Sequence, residues 1–248
     1  MPAQLRQQIF RQYDVRGIVG RDLDGDVART LGRAYAAYLA ARGIRGAVAV
    51  GRDNRPSGQE LRDGLVDGLT GAGYDVIDIG VVPTPLDYWA LHNEPVVGGI
   101  QITGSHNPPE YNGFKISLGT GSMHGDEIQA LWQLAVAGDF PTGRGSVREV
   151  AVIDRYVADC VARVGTLSRP LKVVADYGNG AGALVAPQLL EALGAQVTHL
   201  FAESDGTFPN HHPDPTVEAN LVDLIAAVKR EGADLGVAFD GDADRIGL

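Results

Sequence analysis

Cysteine is nearly missing from this chain: Cys160 stands alone among 248 residues. One thiol closes no internal disulfide, which suits a reducing compartment, so a cytoplasmic location is expected. Cys160 falls on one face of a helix expected from Asp154 to Val164, which gives it a small buried apolar role rather than chemistry. Long apolar runs are missing too. None approaches the roughly 18 residues that cross a bilayer, so no membrane partner is expected. The opening Met1-Pro2-Ala3-Gln4-Leu5-Arg6 lacks the apolar core of a signal peptide. Basic charge is in deficit: 21 Lys and Arg against 31 Asp and Glu leave −10 at pH 7. That sign argues against non-specific binding of nucleic acid. It also means that an anionic substrate needs basic residues concentrated at its site.

What is present is ordinary for a soluble globular chain: 44% hydrophobic and 21% charged residues. The length allows one large domain or two of usual size. Ile9 to Gly17 reads as an extended opening segment, and Val27, Leu31, Ala34, Tyr35, Tyr38 and Leu39 recur at helical spacing. Ala47–Gly51 reads as a strand, Ser57-Gly58-Gln59-Glu60 as a capping box, and Gly71-Ala72-Gly73 as the end of the helix it starts. A strand from Tyr74 to Ile79, a helix after Pro83-Thr84-Pro85, a strand from Val96 to Ile102, a strand from Gly113 to Ser117 and a helix from Asp126 to Ala137 follow. Alternation of this kind predicts a largely parallel sheet covered on both faces. The Pro/Gly-rich stretch Gly138 to Gly145 marks a boundary, giving domains 1–147 and 148–248. The second domain repeats the plan. Strands are expected over 172–176, 196–201 and 235–239, and helices over 183–193 and 216–230.

Thr103-Gly104-Ser105-His106-Asn107-Pro108 follows directly from an apolar strand. A serine on such a turn lies at a sheet edge, where open α/β sheets hold ligands. Gly104 is expected to give the backbone its freedom and Asn107-Pro108 to turn the chain away. Ser105 therefore reads as a phosphoryl carrier. A hydrolase elbow is excluded, because Thr103 and Asn107 stand where G-x-S-x-G needs glycines. Asp240-Gly241-Asp242-Ala243-Asp244-Arg245 ends the last strand. Its alternate carboxylates can face one centre, repel one another when bare, and suit a hard divalent cation such as Mg²⁺ or Ca²⁺. An exposed acidic loop without metal is the plainer alternative. An EF-hand is excluded, since Arg245 stands where glycine is required. Arg16, Lys115 and Arg245 are the basic groups near these motifs, with Lys115 a candidate charge clamp or proton shuttle. Gly178-Asn179-Gly180-Ala181-Gly182 has the wrong spacing for a dinucleotide fingerprint and reads as a tight strand-to-helix turn. His211-His212 lies in a Pro-rich loop and reads as solvated or hydrogen-bonded. A nucleophile, a cation and basic clamps are the parts phosphoryl transfer needs.

With these residues in view, the sequence resembles the α-D-phosphohexomutase family, in its phosphomannomutase/phosphoglucomutase branch. Phe10-Arg11-Gln12-Tyr13-Asp14-Val15-Arg16-Gly17, the Ser105 loop and the Asp240–Arg245 loop carry the resemblance. The Tyr-Asp-Val-Arg-Gly opening and Thr-Gly before Ser105 point away from the phosphoglucosamine branch. The resemblance implies two consecutive α/β domains with mixed, mostly parallel sheets, a phosphoserine at Ser105, and Mg²⁺ held by Asp240, Asp242, Asp244 and a phosphoserine oxygen. Tyr13, Arg16, His106, Lys115 and Arg245 would surround the transferring group. The reaction implied interconverts hexose 1-phosphate and 6-phosphate of glucose or mannose through a 1,6-bisphosphate. Family members continue through sugar-selecting and phosphate-clamping domains, whereas this sequence stops at Leu248. A shortened chain with little turnover is therefore expected. The rival readings are a phosphatase-like phosphotransfer protein and a non-catalytic Mg²⁺-binding module. Sugar preference and oligomeric state are not encoded in any motif found.

Overall fold

The computed structural model describes residues 5–248; most of the stretch read for a signal peptide, Met1 to Gln4, lies outside them. The helical stripe from Val27 to Leu39 is buried along α1 (Gly25–Ala40). Asp24 caps this helix, accepting from the Val27 N–H at 2.8 Å, a contact worth about 1 kcal/mol. α2 (Gly58–Gly71) lies against α1 at backbone contact. A Cβ on Gly64 would stand 2.1 Å from the Gly25 carbonyl oxygen, and one on Gly68 2.2 Å from that of Arg29. The expected capping box does not form. The Ser57 hydroxyl instead accepts from Asn112 Nδ2 at 2.9 Å, while Glu60 accepts from the Gly25 N–H at 3.0 Å. Both local partners are drawn off to neighbouring elements.

The first sheet runs β1 (Val15–Ile18), β5 (Tyr111–Leu118), β4 (Val96–Ile102), β2 (Ala47–Arg52), β3 (Val76–Val81), β7 (Val147–Glu149), with β6 (Gly121–Ser122) on β5. Strands β4, β2, β3 and β7 are parallel, whereas β5 is antiparallel to β4, β1 and β6. The sheet is thus mixed rather than uniformly parallel, because the chain returns from β4 through the short Ser105 loop with no crossover helix. The opening segment is extended only in part. Gln7–Ile9 is a 3₁₀ turn and β1 begins at Val15. Leu31, Leu65, Ile128 and Leu131 from α1, α2 and α4 (Asp126–Ala137) pack on one face with Val48, Val50, Ile100 and Ile102. α3 (Thr84–Asn93) and α5 (Ile153–Val164) cover the other, around Ala49, Ile77, Ile79 and Leu86. The junction expected between residues 147 and 148 falls inside β7, and α5 packs on α3 through Tyr156 against Trp89, ring centroids 6.3 Å apart. Cys160 on α5 is half-buried rather than buried.

The second sheet runs β11 (Ile246–Gly247), β10 (Leu235–Phe239), β8 (Lys172–Asp176), β9 (Gln196–Leu200), parallel except for β11. Two helices are shorter than their patterns. Ala181–Leu184 is a 3₁₀ turn, and α6 (Ala186–Ala192) starts afresh with Pro187 in its first turn, where a missing N–H is tolerated. Thr216 is held in a turn by Asp214 Oδ1, which accepts from its N–H at 3.0 Å and its hydroxyl at 2.7 Å. A 3₁₀ turn, Glu218–Leu221, then precedes α7 (Val222–Glu231). The two halves share a strand-helix plan. Among the described residues no helix is long and apolar enough to cross a membrane.

Candidate active site

The loops leaving β4 and β10 meet. Ser105 Oγ lies 3.1 Å from Asp240 Oδ2 and 3.2 Å from His106 Nδ1. Ser105 itself takes the left-handed conformation, φ 51°, which costs a non-glycine residue of order 1 kcal/mol or more and persists only where the surrounding structure imposes it. Gly104 does not carry the strain, contrary to expectation. Its missing side chain instead admits Arg55, whose Cζ would lie 2.5 Å from a Cβ placed there. Gly241 serves the approach of the two loops, since a Cβ on it would stand 2.4 Å from the Ser105 carbonyl oxygen.

Asp240, Asp242 and Asp244 converge, each offering an oxygen within 4.8 Å of the others. Asp240 and Asp242 are fully buried, and Asp244 is the outer member. Basic groups brace them. Lys115 Nζ donates to Asp242 Oδ2 and Asp244 Oδ2, both at 2.6 Å, and Arg245 Nη2 donates to Asp240 Oδ2 at 2.9 Å. Asp242 Oδ2 also accepts from the hydroxyls of Thr84 and, at 3.2 Å, Thr103. Its Oδ1 is buried with no hydrogen-bond partner. A buried carboxylate oxygen without a partner, on a residue whose carboxylate converges with two others, fits a hard cation, for which such oxygens are the preferred ligands.

Burial, with Asp242 and Asp244 beside it, pushes the Asp240 carboxyl up, against the pull of Arg245. Burial would raise Asp242 as well, but the Lys115 charge and the donors from Lys115, Thr84 and Thr103 hold it below the usual carboxylate range. Burial alone would lower Lys115; Asp242 and Asp244 outweigh it and raise the ammonium above its ordinary value. In this arrangement Lys115 is a fixed positive charge. His106 is held down by burial and then by the Arg245 charge, so its imidazole is neutral at pH 7.

A crevice of about 670 Å³ opens over these groups, lined by Tyr13, Arg16, Ser105, His106, Lys115, Asp244 and Arg245. Every residue singled out in the sequence for surrounding Ser105 thus lines one cavity. Tyr13 stands at the rim, 73% exposed, and Arg16 is ion-paired with Asp14. Tyr88, Ser122 and His124 line the same cavity and were not foreseen, because they come from α3, from β6 and from the segment between β6 and α4. Thr84 was likewise missed. Nothing in Pro83-Thr84-Pro85 indicates a partner 158 residues away, yet Thr84 also takes the Asp242 carbonyl oxygen on its own N–H at 2.9 Å. The glycine-rich turn after β8 supports the acidic loop, because the Ala181 N–H donates to the Gly241 carbonyl at 2.9 Å. His211 Nε2 sits 3.1 Å from the Asp176 carboxylate, a hydrogen-bonded role.

Two consecutive α/β domains, with a strained serine of one against an acidic triad of the other, define the class. Residues 7–141 match the profile of phosphoglucomutase/phosphomannomutase alpha/beta/alpha domain I, and residues 154–248 match that of domain II. The chain belongs to the phosphoglucomutase/phosphomannomutase family. It is 49% identical over its whole length to 53% of a phosphomannomutase/phosphoglucomutase of Pseudomonas putida. A phosphoglucomutase of Neisseria gonorrhoeae is 47% identical over 99% of the chain and 54% of its own length. A crystal structure of a phosphoglucomutase/phosphomannomutase family protein from Burkholderia thailandensis superposes with a TM-score of 0.94, at 47% identity, over 98% of this chain and 55% of that one. The chain spans about half the length of the curated relatives it matches.

Proposed function

We propose that this chain carries the phosphoryl-transfer centre of a phosphohexomutase, with Ser105 as the residue that holds the phosphate between transfers. The observation that supports this most is the 3.1 Å approach of Ser105 Oγ to Asp240, within an acidic triad whose Asp242 Oδ1 has no partner. Asp240, Asp242, Asp244 and an oxygen on Ser105 would hold Mg²⁺, which when bound would offset the negative charge of the phosphoryl oxygens. The domain carrying Ser105 supplies Tyr13, Arg16, His106 and Lys115 to the site, and the domain carrying the triad supplies Arg245.

In the transfer the Ser105 Oγ–phosphorus bond breaks as a hexose hydroxyl forms its own bond to phosphorus, and the hydroxyl proton leaves to a neighbouring base. A 1,6-bisphosphate results; turned about, it returns its other phosphate to Ser105. Arg16, Lys115 and Arg245 neutralise the phosphoryl oxygens as charge builds in the transition state. His106, 3.2 Å from Oγ, is placed to take the Oγ proton as a neutral imidazole when Ser105 attacks phosphorus and, once protonated, to return it when Oγ leaves. Lys115, protonated and ion-paired, acts as a charge clamp in this state of the site. Glucose or mannose phosphates are the substrates by this reading.

Intact-mass spectrometry tests it. After incubation with Mg²⁺ and glucose 1,6-bisphosphate, the chain is expected to gain one phosphate, and Ser105→Ala to gain none. An unmodified wild-type chain overturns the reading in favour of a non-catalytic module. With glucose 1-phosphate as the only sugar added, release of inorganic phosphate with no sugar bisphosphate detectable during turnover supports a hydrolase instead.

A further inference from the structure

Among the described residues, Arg55 is the largest side chain with essentially no exposure, 1%. It lies three residues beyond the end of β2, in a loop to which no motif assigns a role. All five of its N–H groups are engaged. Nη2 donates to the carbonyls of Ser105 at 2.8 Å and Asn107 at 2.6 Å, and Nη1 to those of Pro108 at 2.6 Å and Tyr111 at 3.0 Å. Nε donates to Asp53 Oδ2 at 3.1 Å, and that oxygen also accepts from the Gly104 N–H at 3.2 Å. One guanidinium therefore ties four carbonyls of the Ser105 loop to a carboxylate on the exit of β2. The second domain closes over the arrangement: the Phe208 ring lies 5.1 Å from Arg55 Cζ, and a Cβ on Gly206 would stand 2.6 Å from Arg55 Cα. A buried cation with this many main-chain acceptors does not touch the crevice. What it fixes is the left-handed backbone at Ser105 and the carbonyl against which Gly241 packs.

We propose that Arg55 is a positioning residue for transfer at Ser105: its planar fork holds the loop in the one conformation that aims Oγ at the acidic triad. The inference rests on the phosphoserine reading above. Lysine keeps the charge but presents no fork, so it cannot span four carbonyls. A displacement of the nucleophile by about 1 Å costs on the order of 100-fold in rate.

The test follows the rate at which glucose 1,6-bisphosphate and Mg²⁺ charge the chain, by quenched intact-mass spectrometry, with Mg²⁺ affinity measured by calorimetry. In Arg55→Met and Arg55→Lys the charging rate at saturating donor is expected to fall about 100-fold. Half-saturation by the donor and Mg²⁺ affinity are expected to stay within a factor of about 3, the signature of a lost transition-state alignment rather than lost binding. Gly104→Ala retains Arg55 but drives a methyl into its guanidinium, and is expected to slow charging in the same way; it carries the test where the Arg55 variants do not fold. Recovery of the wild-type rate by lysine, or half-saturation worsening in step with the rate, overturns the positioning role. Wild-type charging with unchanged variants overturns this inference alone, whereas a wild-type chain that is never charged overturns the phosphoserine reading and this inference with it.

Discussion

Asp87 lies in the first turn of α3 with both carboxyl oxygens buried and without a hydrogen-bond partner. Burial pushes its pKa up to about 7, with the Lys115 charge acting the other way. The folded chain therefore holds this proton where the unfolded chain, titrating near 3.8, has released it. Where the native state binds more protons, stability falls as pH rises. The loss spans the window from about pH 4 to about 7 and is complete above it. Asp87→Asn is expected to remove this dependence. Urea unfolding should show the variant more stable than wild type at pH 8 by on the order of 2–4 kcal/mol, converging toward pH 4; a constant difference across that range would show that Asp87 is not the group responsible. Such residues mark the limit of sequence reading. Leu86, Trp89 and Leu91 announce the helix, but burial of the acid between them is decided by what α3 packs against. Thr84, Thr103 and Arg55 were unassigned for the same reason. Their partners are Asp242 and the Ser105 loop, and no local pattern connects them.

Among the elements, the crossing of α1 and α2 depends on glycine. Gly64 and Gly68 sit where a methyl would strike the carbonyl oxygens of Gly25 and Arg29, and Gly32 faces the Leu65 carbonyl in the same way. Backbone cannot yield as a flexible side chain can. Gly68→Ala gains up to about 1 kcal/mol of helix propensity but forces the helices apart, and overpacking costs about 1–3 kcal/mol. A net loss is expected, read as a lower thermal midpoint by calorimetry; a stabilised variant would show that the crossing tolerates a wider gap. Helices and strands with clear periodicity were legible from sequence: α4, β8 and β10 fall where their patterns place them. Helix starts were harder. The Ser57 cap and the beginnings of α6 and α7 were settled by Asn112, Pro187 and the Asp214 turn.

On the scale of the whole molecule, the domains are joined by polar contacts as well as by α5. Asn54 Nδ2 donates to the Asn179 carbonyl at 2.7 Å and to Ser204 Oγ at 2.9 Å, and Trp89 Nε1 to Asp159 at 2.8 Å. Lys115 and Thr84 of the first domain hold Asp242 of the second. Coupling of this kind predicts one cooperative transition, with circular dichroism and tryptophan fluorescence coincident in urea. Asn54→Ala removes two of these bonds and is expected to cost about 1–3 kcal/mol. Separate transitions in the wild-type chain would show that the seam does not couple the halves. With a net charge of −10, the molecule gathers Arg16, Lys115 and Arg245 at one crevice, as binding of an anion would require.

The residue order alone determined the alternation of strands and helices, the serine loop and the spacing of the three aspartates, because periodicity and turn chemistry are local properties. Only the tertiary structure decided that the two loops face each other, that Arg55 rather than a glycine dihedral holds Ser105 in place, and that Lys115 lies across the carboxylates. Those facts depend on contacts between residues far apart in the chain, where burial sets which charges must pair.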